Sequence, residues 1–250
     1  MKEITFGIVG SGGDGVLTAG NLMVQSAARD GLYCFMVKSF GPQIRGGETS
    51  CRVRLSSEQV LSQGDKLRVL AAFRWNDYTR FRTEIRLEDD AVIFVDPDSK
   101  GEVPEELAKH KIVEVPFTAI SKEHTDGTRS KNMVLMGALA EAYNLPLDGV
   151  RRSVAKKLSK KGDEVVEKNL AAVRAGQEYV QEHLADLNLP QLAYEPSEPK
   201  IVMTGNDAAG FGALYAGCRF FSGYPITPAT EIMQCLTREM PRFGGVVVQA

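Results

Sequence analysis

Cysteine is scarce in this 250-residue chain: there are four, Cys34, Cys51, Cys218 and Cys235, and no C-x-x-C pair. Iron–sulfur and structural zinc sites draw on closely clustered ligands. The three histidines, His110, His124 and His183, stand apart from the cysteines and from one another. The chain is therefore expected to hold no metal through its own Cys and His side chains. An excess of basic charge is lacking too. Thirty Lys and Arg face 32 Asp and Glu, a net charge of −2, which argues against a nucleic-acid partner held by a basic surface. Long apolar runs are also missing. The longest uncharged stretch, Gly15–Ala28, has 14 residues and includes Thr18, Asn21, Gln25 and Ser26, well short of the roughly 20 apolar residues of a bilayer span. Met1-Lys2-Glu3 leads straight into the strand-like Ile4–Val9 rather than a signal peptide, so a cytoplasmic protein without a membrane partner is expected.

What is present reads as two α/β segments. Ile4–Gly10 is a predicted strand, followed by a glycine-rich stretch and a predicted helix over Val16–Arg29. Further strands are predicted at Leu32–Val37, Thr49–Leu55, Arg68–Phe73, Ala91–Val95 and Lys111–Val115, with weaker helical stretches at Asp77–Arg86 and Pro104–His110. This order predicts a mostly parallel sheet covered on both faces. After Pro116 the strands give way to helices at Lys131–Tyr143, Asp148–Lys160 and Gly162–Leu187. The middle one carries Arg151, Arg152, Lys156, Lys157, Lys160 and Lys161, either a solvated face or a patch that meets an anionic ligand or acidic partner.

Three prolines, Pro190, Pro196 and Pro199, mark residues 188–200 as a linker, because proline fixes φ and removes a backbone donor. The resulting division is 1–187, 188–200 and 201–250. Beyond the linker a second α/β pattern begins: strand Ile201–Thr204, helix Asp207–Gly217, strand Phe220–Ser222, helix Ala229–Met240 and strand Val246–Gln249. Fifty residues of this kind cannot easily cover both faces of a sheet, so they are expected to open a larger domain that further chain or a partner completes.

Three loops could carry chemistry. Gly10-Ser11-Gly12-Gly13-Asp14-Gly15 satisfies G-x-G-x-x-G between a strand and a helix, where backbone N–H groups can approach a phosphate. A dinucleotide site also wants an acid at the end of the second strand, and Lys38 stands there instead, while Asp14 puts negative charge inside the loop. The glycines could equally serve only tight packing, or another ligand or interface. Gly41-Pro42-Gln43-Ile44-Arg45-Gly46-Gly47 is a shaped loop whose single charge is Arg45; it is either an inert turn or a ligand or interface loop. Ser222-Gly223-Tyr224-Pro225-Ile226-Thr227-Pro228 joins a strand to a helix, with Thr227 expected as N-cap and Pro228 in the first turn.

Taken together these motifs carry a resemblance. GSGGDGVLTAG at Gly10–Gly20, SFGPQIRGG at Ser39–Gly47 and Cys51-Arg52-Val53-Arg54 resemble the gamma domain of 2-oxoacid:ferredoxin oxidoreductases. GNDAAGFGALYAG at Gly205–Gly217 and FSGYPITPAT at Phe221–Thr230 resemble the start of the alpha-subunit domain that binds the pyrimidine of thiamine diphosphate. Their order resembles the fused gamma-plus-alpha subunit of 2-oxoglutarate-type enzymes.

The resemblance implies coenzyme A-dependent oxidative decarboxylation of a 2-oxoacid, 2-oxoglutarate favoured, with electrons passing to ferredoxin. It implies that Thr227 faces the substrate carboxylate and that Tyr224, Pro225 and Ile226 line the thiamine diphosphate site. It also gives Gly12, Gly13 and Arg45 a part in coenzyme A handling, or alternatively in a domain interface. Mg2+, the diphosphate site and a 4Fe–4S cluster would belong to a separate beta subunit in an alpha2beta2 assembly, leaving this chain silent alone. The family's activating glutamate would follow Val246–Ala250 and is not in this sequence. A non-catalytic gamma-like assembly subunit and an NAD(P)-binding oxidoreductase domain are the other readings.

Overall fold

A computed structural model describes residues 1–42, 46–125 and 127–250. It divides into two compact units, Met1–Lys200 and Ile201–Ala250. No helix among the described residues is long and apolar enough to cross a membrane.

The first unit is built on a six-stranded sheet of β1 (Glu3–Ser11), β2 (Tyr33–Phe40), β3 (Glu48–Ser56), β4 (Leu67–Arg74), β5 (Leu87–Lys100) and β6 (Lys111–Glu114), in the order β2-β3-β1-β4-β5-β6. The β1–β4, β4–β5 and β5–β6 pairs are parallel, and β3 runs antiparallel to both neighbours. The sheet is thus mostly parallel, as its apolar runs predict. β1 is buried along its whole length beyond Glu3 because helices cover it on both sides.

On one face Ile4, Phe6, Ile8, Val53 and Phe94 pack with α1 (Val16–Arg29), α4 (Lys131–Tyr143), α5 (Leu147–Leu158) and α6 (Asp163–His183). On the other, Val9, Leu70, Ala72 and Ile93 meet Trp75, Tyr78 and Phe81 of α2 (Trp75–Phe81). Each large apolar side chain buried in this way contributes roughly 1.5–3 kcal/mol. On this second face β3 is only half-buried. There Arg52 and Arg54 alternate with buried Cys51, Val53 and Leu55. Arg52 donates to the Gly64 and Glu84 carbonyls, at 2.6 and 3.0 Å.

α4 is buried on nearly all sides, from Asn132 to Tyr143, because α6 lies across it at a two-glycine contact. A Cβ on Gly137 would stand 1.9 Å from the Val173 carbonyl oxygen, and one on Gly176 would stand 2.1 Å from that of Val134. Only glycine lets these two helices approach so closely. The first unit also differs from expectation at three short elements. α3 (Phe117–His124) follows Pro116 directly, since proline tolerates a helix start. Helix α2 ends at Phe81 rather than Arg86, and residues 104–110 form only a short 3-10 turn, Glu105–Leu107.

Residues 188–200 carry no helix beyond the turn ending at Leu187 and no strand, and they lie along the first unit. Leu192 is fully buried, its N–H donates to the Tyr143 carbonyl at 2.9 Å, and Lys200 N–H donates to Ala28 at 2.7 Å.

The second unit holds α7 (Gly205–Tyr215), β7 (Phe220–Gly223), α8 (Thr230–Glu239) and β8 (Val246–Gln249). β7 and β8 pair in parallel, Phe220 opposite Val246. Leu214, Leu236 and Met240 pack with Phe221 and Val247 beneath the two helices, whereas Phe220, Val246 and Val248 on the other sheet face are exposed. The predicted strand Ile201–Thr204 does not form. It is extended and exposed with no strand beside it, and Thr204 caps α7 instead.

Candidate functional site

The two glycine loops of the first unit meet at one edge of the sheet, because β1 and β2 end there and β3 begins there. Gly12 N–H donates to the Gly47 carbonyl at 2.9 Å, and Ser11 Oγ donates to the Gly46 carbonyl, also at 2.9 Å. A Cβ on Gly12 would stand 3.0 Å from the Gly46 backbone, so the missing side chain permits the contact between the loops. Gly13 differs: its φ is 106° and no described residue lies within 4 Å of where a Cβ would be. The structure places Gly12 against Gly46, while Gly13 is exposed. Arg45 lies outside the described residues.

The α1 end of this loop carries its own anion. Asp14 accepts a hydrogen bond from Ser11 N–H at 2.8 Å, and its other oxygen pairs with Lys131 Nζ at 2.8 Å. Lys131 begins α4 and also lies over the Phe73 ring. Thus the Ser11 and Gly12 N–H groups are both engaged within the protein. A carboxylate sits where a dinucleotide phosphate would need room. Glu48, Arg74 and Asp77 adjoin this edge. Burial pushes the Asp77 carboxyl above its usual range, against the pull of nearby Arg74, whose Nε is 3.6 Å from Asp77 Oδ2. No group of three or more His, Cys, Asp or Glu among the described residues could hold a metal ion.

The basic helix resolves into two parts. Arg151 pairs with Asp148 and Arg152 with Asp30, both at 3.2 Å, while Lys156, Lys157, Lys160 and Lys161 are exposed.

In the second unit, α7 leads into β7 and β7 leads into α8. Both helix N-termini therefore lie at the carboxyl end of β7, beside Tyr224–Thr227. Positive helix ends favour a negative group there, by roughly 0.3–1 kcal/mol for each exposed end. α7 is closed by a reciprocal cap: Asp207 N–H donates to Thr204 Oγ1 at 3.0 Å, and that hydroxyl donates to Asp207 Oδ2 at 2.9 Å.

Thr227 is not the N-cap of α8. A turn over residues 227–229 intervenes, the Thr230 N–H donates to the Ile226 carbonyl at 3.0 Å, and Ala229 takes the cap position without a side-chain bond. The Thr227 hydroxyl is consequently exposed and bonds to no described residue. Tyr224 and Ile226 are 72% and 60% exposed, with Pro225 half-buried between them. The four residues form one continuous surface: two apolar side chains and a free hydroxyl beside two helix N-termini.

Asn206, in the first turn of α7, ties this turn down. Its Nδ2 donates to the Pro228 carbonyl at 3.1 Å and to Glu231 Oε2 at 2.9 Å. Sequence reasoning passed over it; the only signal was an amide two residues after a helix-capping threonine.

Residues 5–179 match the family "Pyruvate ferredoxin/flavodoxin oxidoreductase", and residues 211–250 match "Pyruvate flavodoxin/ferredoxin oxidoreductase, thiamine diP-bdg". The 2-oxoglutarate synthase subunit KorC of Methanothermobacter marburgensis is 30% identical over 187 residues, 72% of this chain and 97% of that protein. The 2-oxoglutarate synthase subunit KorA of Methanocaldococcus jannaschii is 57% identical over 47 residues, 19% of this chain and 13% of that one. Among solved structures, 2-oxoglutarate:ferredoxin oxidoreductase from Magnetococcus marinus, with 2-oxoglutarate, coenzyme A and succinyl-CoA bound, superposes with a TM-score of 0.89 at 34% identity. That match covers all of this chain and 43% of the solved one, so the chain spans less than half of that relative's length. With residues 5–179 matching the oxidoreductase profile and residues 211–250 the thiamine diphosphate-binding one, this chain belongs to the pyruvate ferredoxin/flavodoxin oxidoreductase family.

Proposed function

We propose that this chain is part of a 2-oxoacid:ferredoxin oxidoreductase that converts a 2-oxoacid and coenzyme A into acyl-CoA and carbon dioxide, passing two electrons to ferredoxin. The observation that carries this reading is the surface made by Tyr224, Pro225, Ile226 and Thr227 beside the N-termini of α7 and α8. A flat apolar ring fits the exposed Tyr224 and Ile226, and an anion fits the Thr227 hydroxyl at two positive helix ends. This chemistry suits the pyrimidine of thiamine diphosphate and the carboxylate of a 2-oxoacid. When bound, thiamine diphosphate supplies the nucleophilic carbon for decarboxylation. Within this chain, Thr227 donates a hydrogen bond to the substrate carboxylate, and the apolar residues orient the cofactor ring and exclude water from it.

The domain reading follows the same order: 1–187 a gamma-type domain, 188–200 a connecting segment, and 201–250 the opening of a pyrimidine-binding domain. Gly13, exposed and clear of the described residues, is the better placed of the two loop glycines to meet coenzyme A, with Gly12 holding the loop in shape. The Mg2+, diphosphate and 4Fe–4S sites are assigned to a beta subunit in an alpha2beta2 assembly. 2-Oxoglutarate is the favoured substrate, supported by the KorA, KorC and Magnetococcus marinus relatives. The four free cysteines suit a reducing, cytoplasmic setting.

The test is reduction of ferredoxin, or of a viologen dye, by the complete complex given coenzyme A and 2-oxoglutarate, pyruvate or 2-oxoisovalerate in turn. The expected result is coenzyme A-dependent reduction that is fastest with 2-oxoglutarate. No reduction with any 2-oxoacid would refute the reading. Thr227→Val should raise KM for the 2-oxoacid at least about tenfold, the loss of one hydrogen bond to a charged group. Unchanged kinetics would remove Thr227 from the site.

A further inference from the structure

We infer that Asn206 is a positioning residue for the proposed substrate site, acting through the turn that presents Thr227. This rests on the reading of Thr227 given above. Thr227 bonds to no described residue and is exposed, so its location depends on the backbone on either side. On the N-terminal side, Gly223 is held by β-pairing, its carbonyl accepting the Ala250 N–H at 2.9 Å. On the C-terminal side the turn is held by its own Ile226–Thr230 bond and by Asn206.

The amide of Asn206 uses Nδ2 twice, toward the Pro228 carbonyl and toward Glu231 Oε2. Glu231 orients the amide, and the amide clamps the carbonyl immediately after Thr227. Two helix N-termini are thereby locked to each other at the point where the hydroxyl projects. Without this clamp, the turn keeps its backbone bond but gains freedom to move away from α7. The fraction of molecules with the hydroxyl correctly placed then falls, and substrate binding weakens by that fraction.

A role confined to stability would behave otherwise. It would reduce the amount of active enzyme, and with it the apparent kcat, while leaving KM untouched. The clamp acts through KM.

The experiment uses the complete complex and compares wild type, Asn206→Ala, Asn206→Asp, Thr227→Val and the Asn206→Ala/Thr227→Val double variant. Asn206→Asp keeps the shape of the side chain, cannot donate to Pro228 and faces the Glu231 carboxylate. Should Asn206→Ala fail to assemble, the Asp variant carries the test. Either Asn206 variant is expected to raise KM for the 2-oxoacid about three- to tenfold, the effect of losing the Pro228 bond that holds the turn, with kcat changed less than twofold. The double variant should be no worse than Thr227→Val alone, because both act on the same contact. Multiplying effects, or an unchanged KM in both Asn206 variants beside an impaired Thr227→Val, would overturn the role of Asn206 alone. A silent Thr227→Val would instead remove the underlying site reading, and the clamp with it.

Discussion

Asp14 Oδ1 lies 2.8 Å from Lys131 Nζ, joining the glycine loop at the start of α1 to the first residue of α4, 117 positions later in the chain. Both side chains are largely buried, 18% and 12% exposed. The pair supplies from within the protein the negative charge that a phosphate loop would take from a ligand. It also gives the loop a fixed shape at the sheet edge, where β2 and β3 bring the second glycine loop alongside.

Lys131→Met should therefore leave Asp14 in a poorly solvated place with only the Ser11 N–H for company. A loss of about 2–4 kcal/mol is expected on urea unfolding, near the range for breaking a buried pair. Adding Asp14→Asn to the same chain should recover part of that loss. A change under about 0.5 kcal/mol would mean that water compensates for the pair as it does at an open surface.

The Gly137–Gly176 contact makes a sharper demand. Gly176→Ala places a methyl group 2.1 Å from the Val134 carbonyl oxygen, and neither partner is a side chain that can swing aside. Helices α4 and α6 must separate, at a cost of roughly 1–3 kcal/mol. The gain of alanine's helix propensity recovers no more than about 1 kcal/mol of this. The melting temperature should fall; an unchanged value would show that the helices slide apart freely.

Asp77 makes stability depend on pH in an unusual direction for a carboxylate. Its folded pKa is raised by burial, above the unfolded value of about 3.9. The stability tied to its protonated form is full below the unfolded pKa and is lost as pH rises through the folded one. Asp77→Asn remains neutral throughout. The stability of that variant relative to wild type should thus increase between pH 4 and pH 7 in urea titrations. A relative stability that falls with pH would show that attraction to Arg74 outweighs burial.

Cys34 and Cys51 should resist thiol reagents. Burial pushes both thiols up to about 12, leaving roughly one thiolate in ten thousand at pH 8. Mass spectrometry after brief iodoacetamide treatment at pH 8 should find both unmodified in the native chain and both alkylated in urea. Rapid native labelling of Cys51 would mean that α1 lifts readily from the sheet.

The regular elements were largely legible because their signals are local. β1, β4 and β5 announce themselves as apolar runs, and α1, α4 and α6 as stretches of helical length bounded by charge or glycine. The errors fall where a neighbour decides. Ile201–Thr204 has the composition of a strand but no strand beside it, so it stays extended and unpaired. Thr227 has the chemistry of an N-cap, yet the turn closed by Thr230 N–H and Ile226 O moves the cap of α8 two residues on, to Ala229. The proposed site residues Tyr224–Thr227 are named from their motif, whereas Asn206 could not be. Its two hydrogen bonds reach Pro228 and Glu231, 22 and 25 positions away.

By itself the sequence determined the α/β class, the absence of a cysteine cluster and the two motif sets that place this chain in its family. These are properties of composition and short-range order. Only the tertiary structure decided what the glycines do: Gly12 meets Gly46, Gly13 is exposed, and Gly137 and Gly176 let two helices touch. A glycine looks the same in any sequence, and its role depends on which backbone arrives where its side chain would have been.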